Sequence, residues 1–302
     1  MSKSIIDKFR KDNGDEAQYT QLIKDILSHG TIEKGRNGFT KVLVGNIMYF
    51  DLTENKLPLL TTKKVAWKSC LKELLWFIRG QTDNGILQQQ NVKIWNANAS
   101  RDFLESRNLA HYRDNDLGPI YGFQWRHFNA SYTNCDADYS NTGVDQLEYV
   151  IEQLKNPETR NSRRLLISAW NPCQLDEMVL PPCHVLMQFN VTEGNKLSCS
   201  LYQRSGDVGL GVPFNIASYS FLTHLLAVHC GLEAKEFIYH LGNAHIYDDH
   251  INSLEEQVKR KPLEFPKVSI KQTFEDINSY SFDDFIVENY NSHETIKMEM
   301  RK

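Results

Sequence analysis

Cys183 follows Pro181 and Pro182, two residues that stiffen the backbone just ahead of a strand-like run at 185–191. Further on, Arg204, Ser205, Gly206 and Asp207 arrive in what reads as a glycine-rich turn, and Asn215 reads as opening an apolar helix. A thiol becomes a good nucleophile as its thiolate, and a nearby cation stabilises that form. Arg204 is the candidate cation, brought alongside by the second strand of a hairpin, 197–203. The set offers a nucleophile, a cation, hydroxyl and amide donors, and close backbone approach. A small anionic substrate with a planar polar ring would use all of these. His184 is adjacent to Cys183, but neighbours on a strand diverge, so it is a poor base for that thiol. Most single cysteines are inert core residues; the Pro-Pro entry and the arginine set this one apart.

The elements that must position these groups can be read in turn. Residues 16–29 form an amphipathic helix with Tyr19, Leu22, Ile23, Ile26 and Leu27 on one face, ended by Gly30. Residues 42–50 read as a strand with a bulge or bend at Gly45. A helix over 66–79, closed by Gly80, has Lys68, Lys72 and Arg79 on one face and Glu73 among Ala66, Cys70 and Phe77. A carboxylate there should have a raised pKa unless something pairs with it; the alternative is a surface acid at the helix edge. DLGPIYGFQWRHF, 116–128, reads as a Gly-Pro turn with an aromatic run in which Phe123 and Trp125 pack and Tyr121 could be a site hydroxyl. A helix over 144–154 precedes SRRLLISAW, 162–170, read as a strand. Taken alone, Arg163 and Arg164 there read as a solvated strand end, because adjacent side chains point to opposite faces. The helix 216–230 is apolar almost all round and should be central and buried. His245 and Tyr247, two apart on a strand at 237–247, would share a face and could both meet one hydroxyl; an ordinary packed histidine is the alternative. KVSI and FIVE read as strands before an irregular end.

Composition narrows the class. The 302 residues carry a net charge of −4 and a 41% hydrophobic share, enough for a sizeable core. No Lys/Arg run marks a nucleic-acid or anionic-membrane partner. No apolar run is long enough to span a bilayer. Six cysteines without framework spacing, and an N-terminus without an apolar signal region, lead us to expect a cytoplasmic protein with free thiols. His240, His245 and His250 recur every five residues, a spacing that converges on neither a helix nor a strand face, so no metal is expected. Neither a Walker motif nor GxGxxG occurs. The polar segments 97–117 and 128–143 read as loops rather than boundaries. The expectation is a single domain, 1–302, with 1–15 a flexible N-terminal extension.

LPPCH and LSCSLYQRSGDVGLGVPFNIASY closely resemble the thymidylate synthases, and the resemblance runs from about Tyr19 to Met300. It implies an α+β fold, a bent mixed β-sheet with surrounding helices, dimerising through the sheet face. It also implies a homodimeric methyltransferase that converts dUMP to dTMP with 5,10-methylenetetrahydrofolate as both carbon donor and reductant. In that resemblance Cys183 would add to C6 of dUMP. Glu73, with His184 and Asn215, would run a proton relay toward O4. Asn215 would read N3–H and O4, and Tyr121 would help accept the C5 proton. Arg204 and Ser205 would hold phosphate beside Gly206, with Arg163 and Arg164 reaching the phosphate of the partner subunit. His245 and Tyr247 would bind the ribose 3′-hydroxyl, and Asp207 would contact pyrimidine and folate. Trp95 would line the folate pocket, Lys63 would meet the glutamate tail, and Arg301 lies in the tail that closes over folate.

Three stretches depart from the family pattern. EKGRNGFTK stands where a run like RTGTG is usual, and Arg36 matches the loop arginine only with an insertion before it and a deletion after it. Extra residues, 159–162, lengthen the approach to the arginine pair. The tail ends MEMRK rather than in small apolar residues, so Arg301 and Lys302 should sit on the rim and loosen the lid. Two other readings stay in view. A nucleotide hydroxymethylase would let water capture the methylene intermediate; its cytidylate version favours Asp where this chain has Asn215. A non-catalytic nucleotide- or RNA-binding relative would have no need of Cys183, Glu73 and Asn215.

Overall fold

The computed structural model describes residues 14–35 and 37–301. The expected N-terminal extension, 1–15, lies outside the described residues except for Gly14 and Asp15; Arg36 and Lys302 also lie outside them.

A six-stranded mixed sheet carries the fold. In chain order its strands are β1 (Thr31–Gly35), β2 (Gly38–Asp51), β3 (Leu166–Ser168), β4 (His184–Thr192), β5 (Lys196–Asp207) and β6 (Glu233–Tyr247), arranged spatially as β1-β2-β6-β5-β4-β3. All neighbours are antiparallel except β5 and β6, which run parallel. A parallel pair needs a long crossover, and here it is α7 (Gly211–His229). Around the sheet lie α1 (Asp15–His29), α2 (Trp67–Ile78), α3 (Asn84–Gln89), α4 (Arg101–Ser106), α5 (Tyr121–His127), α6 (Gln146–Lys155) and α8 (Ile251–Gln257). A small second sheet pairs β7 (Lys267–Ile270) with β8 (Phe285–Glu288). The fold is α+β, and no described helix is long and apolar enough to cross a membrane.

Period-two side-chain alternation sorts the large sheet into two faces. One ladder row runs Met48, Tyr239, Leu201, Met187, Ile167, and every member is buried beneath the helices. The next row runs Ile47, His240, Tyr202, Leu186 on the opposite face, with Ile47 and Tyr202 exposed. Gly45 has φ +80°, yet the register is the same on either side of it, Val44 opposite Asn243 and Asn46 opposite Leu241. It is therefore a bend and not a bulge.

Several sequence expectations shift. The arginine pair is not on a strand: β3 is only Leu166–Ser168, and Arg163 and Arg164 sit exposed in the turn before it. Arg204, Ser205 and Asp207 are not in a turn, because pairing with β6 keeps β5 extended through Asp207. Asn215 does not open its helix; α7 starts at Gly211. The segment 97–117 is not all loop but contains α4, capped by the Ser100 side chain. The aromatic run after the Gly-Pro turn is the short helix α5.

That helix approaches α2 closely because of one glycine. A Cβ on Gly122 would stand 2.4 Å from the Phe77 carbonyl oxygen and 2.7 Å from Phe77 Cα, and backbone cannot yield as a flexible side chain can. Gly122→Ala should cost about 2 kcal/mol of stability, the scale of an overpacked core, and should push the adjacent Tyr121 away from Cys183. An unchanged urea midpoint would show that α5 is free to tilt.

Candidate active site

Pro182 leads directly to Cys183, and β4 begins at His184. The Cys183 amide N–H donates to the Tyr121 hydroxyl at 2.8 Å. Tyr121 has φ +21°, unusual for a bulky residue, and that strained start of α5 aims its ring between Phe77 and His184, 5.0 Å from each. Arg204 cannot swing freely. Its Nε and Nη2 donate to the Pro182 and Pro181 carbonyls, both at 2.9 Å, and Nη2 lies 3.8 Å from Cys183 Sγ. The prolines thus present two carbonyls that hold the guanidinium beside the thiol. Burial nevertheless raises the Cys183 pKa more than Arg204 and the Tyr121 hydroxyl lower it. The expected cation is in place, but desolvation outweighs it.

Behind the thiol a chain of hydrogen bonds fixes every orientation. The Tyr239 hydroxyl donates to Gln203 Oε1 at 2.6 Å, and Gln203 Nε2 donates to Asn215 Oδ1 at 3.0 Å. The Asn215 amide nitrogen then donates to His184 Nε2 at 2.6 Å. His184 must accept there and so carries its proton on Nδ1. Burial lowers its pKa to about 3, against a smaller opposing effect of the Asn215 bond. His184 is a neutral, buried dipole and not a base for Cys183.

Glu73 lies on the buried side of α2, as its position on the helix predicts. Trp95 Nε1 donates to its Oε1 at 2.8 Å. Burial raises the Glu73 pKa to about 7, partly offset by that bond. The carboxyl can therefore give or take a proton near neutrality.

A cavity of about 860 Å³ opens over these residues, walled by Trp95, Cys183, Arg204, Ser205, Asp207, His245, Tyr247 and Arg301. Glu73 and Tyr121 stand behind that wall, bonded to Trp95 and to the Cys183 amide, with His184 packed on Tyr121 and bonded to Asn215. His245 and Tyr247 share a strand face as expected, with ring centres 5.2 Å apart. Asp207 Oδ1 accepts from the Gly209 amide at 2.8 Å. Gly206 is interior to β5, where a Cβ would meet Leu241 at 2.8 Å and Val212 at 2.9 Å. Lys63 is off the cavity wall: it is buried, its Nζ donates to the Gly209 carbonyl, and burial lowers its pKa to about 8 despite Asp207. Arg163 and Arg164 face a separate depression with Tyr149 and Gln153.

A family model described as thymidylate synthase matches residues 17–302. The chain belongs to the thymidylate synthase family. A fission yeast (Schizosaccharomyces pombe) relative named probable thymidylate synthase is 51% identical over 300 residues, 95% of this chain and 48% of that protein. A human herpesvirus 8 thymidylate synthase is 50% identical over 287 residues, 95% of this chain and 84% of its own length. A Plasmodium chabaudi bifunctional dihydrofolate reductase-thymidylate synthase is 50% identical over 94% of this chain and 48% of its own. The chain thus spans about half the length of several relatives it matches.

Sequence reasoning missed Asn243, Gln203 and Tyr239. Asn243 had a usable signal: it precedes His245 and Tyr247 at strand spacing, and its Oδ1 lies 3.1 Å from His245 Nδ1. Gln203 and Tyr239 had none, since their roles depend on contact across β5 and β6.

The raised Glu73 pKa has a consequence for this thymidylate synthase family fold. Between about pH 4.5 and 7 the folded chain holds a proton that the unfolded chain releases, so stability falls as pH rises through that window. Glu73→Gln keeps the acceptor for Trp95 and removes the charge. It should be as stable as the parent at pH 4 and more stable above pH 7, by at most about 3 kcal/mol. A stability difference that does not vary with pH would refute the buried-acid assignment.

Proposed function

We propose that the protein converts dUMP to dTMP by reductive methylation, with 5,10-methylenetetrahydrofolate as co-substrate. The observation that carries this reading is Cys183 on the wall of a large cavity with Arg204 Nη2 3.8 Å from its sulfur, a buried Glu73 bonded to Trp95, and Asn215 bonded to His184. A cavity of about 860 Å³ has room for a nucleotide and a second, flat ligand.

Each residue then has a task that its chemistry supports. The Cys183 thiolate forms a bond to C6 of the pyrimidine, and the ring electrons move toward O4. Glu73, whose pKa burial raises to about 7, would run the proton relay toward O4 with Asn215 and His184. Tyr121, held against the Cys183 amide, would help accept the C5 proton. Arg204 and Ser205 suit the phosphate dianion, Gly206 between Ser205 and Asp207 leaves room for Leu241 and Val212 and not for the ligand, and His245 and Tyr247 suit the sugar hydroxyl. Asp207 and Trp95 line the cavity; Asp207 would contact pyrimidine and folate and Trp95 would line the folate pocket, the folate supplying the one-carbon unit and the hydride. Lys63 would serve the glutamate tail only after leaving the Gly209 carbonyl.

We read the protein as a homodimer joined through the outer sheet face. Ile47 and Tyr202 lie exposed there in one ladder row, and apolar side chains on an open sheet face favour burial against a second copy. Arg163 and Arg164, outside their own chain's cavity, would then serve the phosphate site of the other protomer.

Incubation with dUMP and methylenetetrahydrofolate should yield dTMP and dihydrofolate together; hydroxymethyl-dUMP with tetrahydrofolate would replace methylation with hydroxymethylation. Cys183→Ala should retain dUMP binding while turnover falls by several orders of magnitude, and turnover near the parent rate would remove Cys183 as nucleophile.

Shared sites predict complementation. Inactive Arg164→Ala protein mixed with inactive Cys183→Ala protein should regain activity as hybrid dimers. No recovery, with subunit exchange verified by mass, would place each site within a single chain.

A further inference from the structure

The last described residues, 298–301, form no helix or strand; Met298 packs against the core beside Gly209, and the polar fastenings of Glu299 and Arg301 all go to one short stretch, 248–250. His250 Nε2 donates to the Glu299 carbonyl at 2.7 Å. Arg301 Nη2 lies 3.0 Å from an oxygen of Asp248 and 3.0 Å from one of Asp249, and its Nε donates to Asp249 at 3.3 Å. The guanidinium also sits 5.9 Å from the centre of the Tyr247 ring. Met300 and Arg301 are part of the cavity wall. On that wall Arg301 is paired with two carboxylates.

We propose that Asp248 and Asp249 are positioning residues that clamp the C-terminal segment through Arg301, setting how firmly Met300 and Arg301 close the cavity over its second ligand. That this ligand is a folate rests on the function proposed above; the clamp itself does not. A single exposed ion pair contributes little, but one planar fork shared between adjacent carboxylates is favourable geometry. A segment outside regular structure is drawn from the low-stability end of a fold, so small contributions decide whether it is open or closed. The two fastenings differ in kind. The His250–Glu299 bond is sheltered by the complete burial of the His250 side chain, whereas the Arg301 pairs are exposed and screened by salt over about 8 Å at physiological ionic strength. Closure should therefore have a salt-sensitive part that belongs to Asp248, Asp249 and Arg301.

Backbone amide exchange over 295–301 in the full chain tests the clamp without any substrate. The double variant Asp248→Asn with Asp249→Asn should exchange roughly two- to fivefold faster at low salt, and the parent should approach it at high salt. Arg301→Glu should exchange faster as well, and adding Asp248→Lys with Asp249→Lys should restore protection. Equal exchange in parent and Asn variant at low salt would overturn the clamp, and so would failure of the charge swap. In steady-state assays the Asn variant should show KM for methylenetetrahydrofolate raised by the same factor with dUMP affinity unchanged; faster exchange with unchanged folate KM would overturn the coupling to the ligand. If dUMP is not a substrate at all, the exchange result still stands, so the two failures are distinguishable.

Discussion

Ser205 stands opposite Asn243, and Asp207 opposite His245, because β5 and β6 run parallel. A parallel pair forces a crossover, and the crossover must cover the sheet. α7 does this with almost every residue buried, which has two effects. It supplies the apolar mass against Phe237, Tyr239 and Leu201, and it carries polar groups into a place where none can be left unpaired. Ser220 and Thr223 answer by donating to carbonyls one turn back, each at 2.7 Å. His224 contacts the Lys56 carbonyl at 2.8 Å. Asn215 answers by linking Gln203 to His184. The interior hydrogen-bond chain behind Cys183 is thus a result of where the crossover helix has to lie.

The same logic explains why Glu73 and His184 have pKa values displaced in the directions that disfavour charge. Both are buried, and among the described residues neither meets an opposite charge; the hydrogen-bond partners there are neutral, Trp95 and Asn215. Arg204 instead stays at the cavity wall, where the Pro181 and Pro182 carbonyls accept from its guanidinium. The result is a site in which the fixed positive charge is at the surface of the cavity and the titratable acid is held in reserve behind it.

Much of this was legible in the sequence, and the failures share a cause. The helix wheel put Glu73 on an otherwise apolar side while leaving a surface acid as the alternative, and period two put His245 with Tyr247. The Pro-Pro-Cys run and the arginine after the next strand pointed to residues that line one cavity. What was misread depends on partners distant in sequence. RSGD looks like a turn by composition, but parallel pairing with β6 holds it extended, an instance of tertiary context overriding local preference. α5 was hidden because a Gly-Pro start and a dense aromatic run show no helical period. Trp95 as the partner of Glu73, and Gln203 as the holder of Asn215, could not be found from spacing, since each pair joins different elements. Arg301 could be placed at the rim by its charge, but not paired, because its acids precede it by about fifty residues.

The pairing of β2 with β6 has a further consequence. Thr40 lies opposite Tyr247, so the middle of the sheet closes only when parts of the chain about two hundred residues apart meet. Such non-local contacts make folding slow, because loop entropy is lost before they form. Cys183 and Arg204 come from one hairpin and can assemble early, but His245, Tyr247 and the terminal segment reach them only at the end. An occupied cavity would then act as a late staple on the whole fold, and mass action would tie the lifetime of the native chain to the supply of whatever the cavity binds.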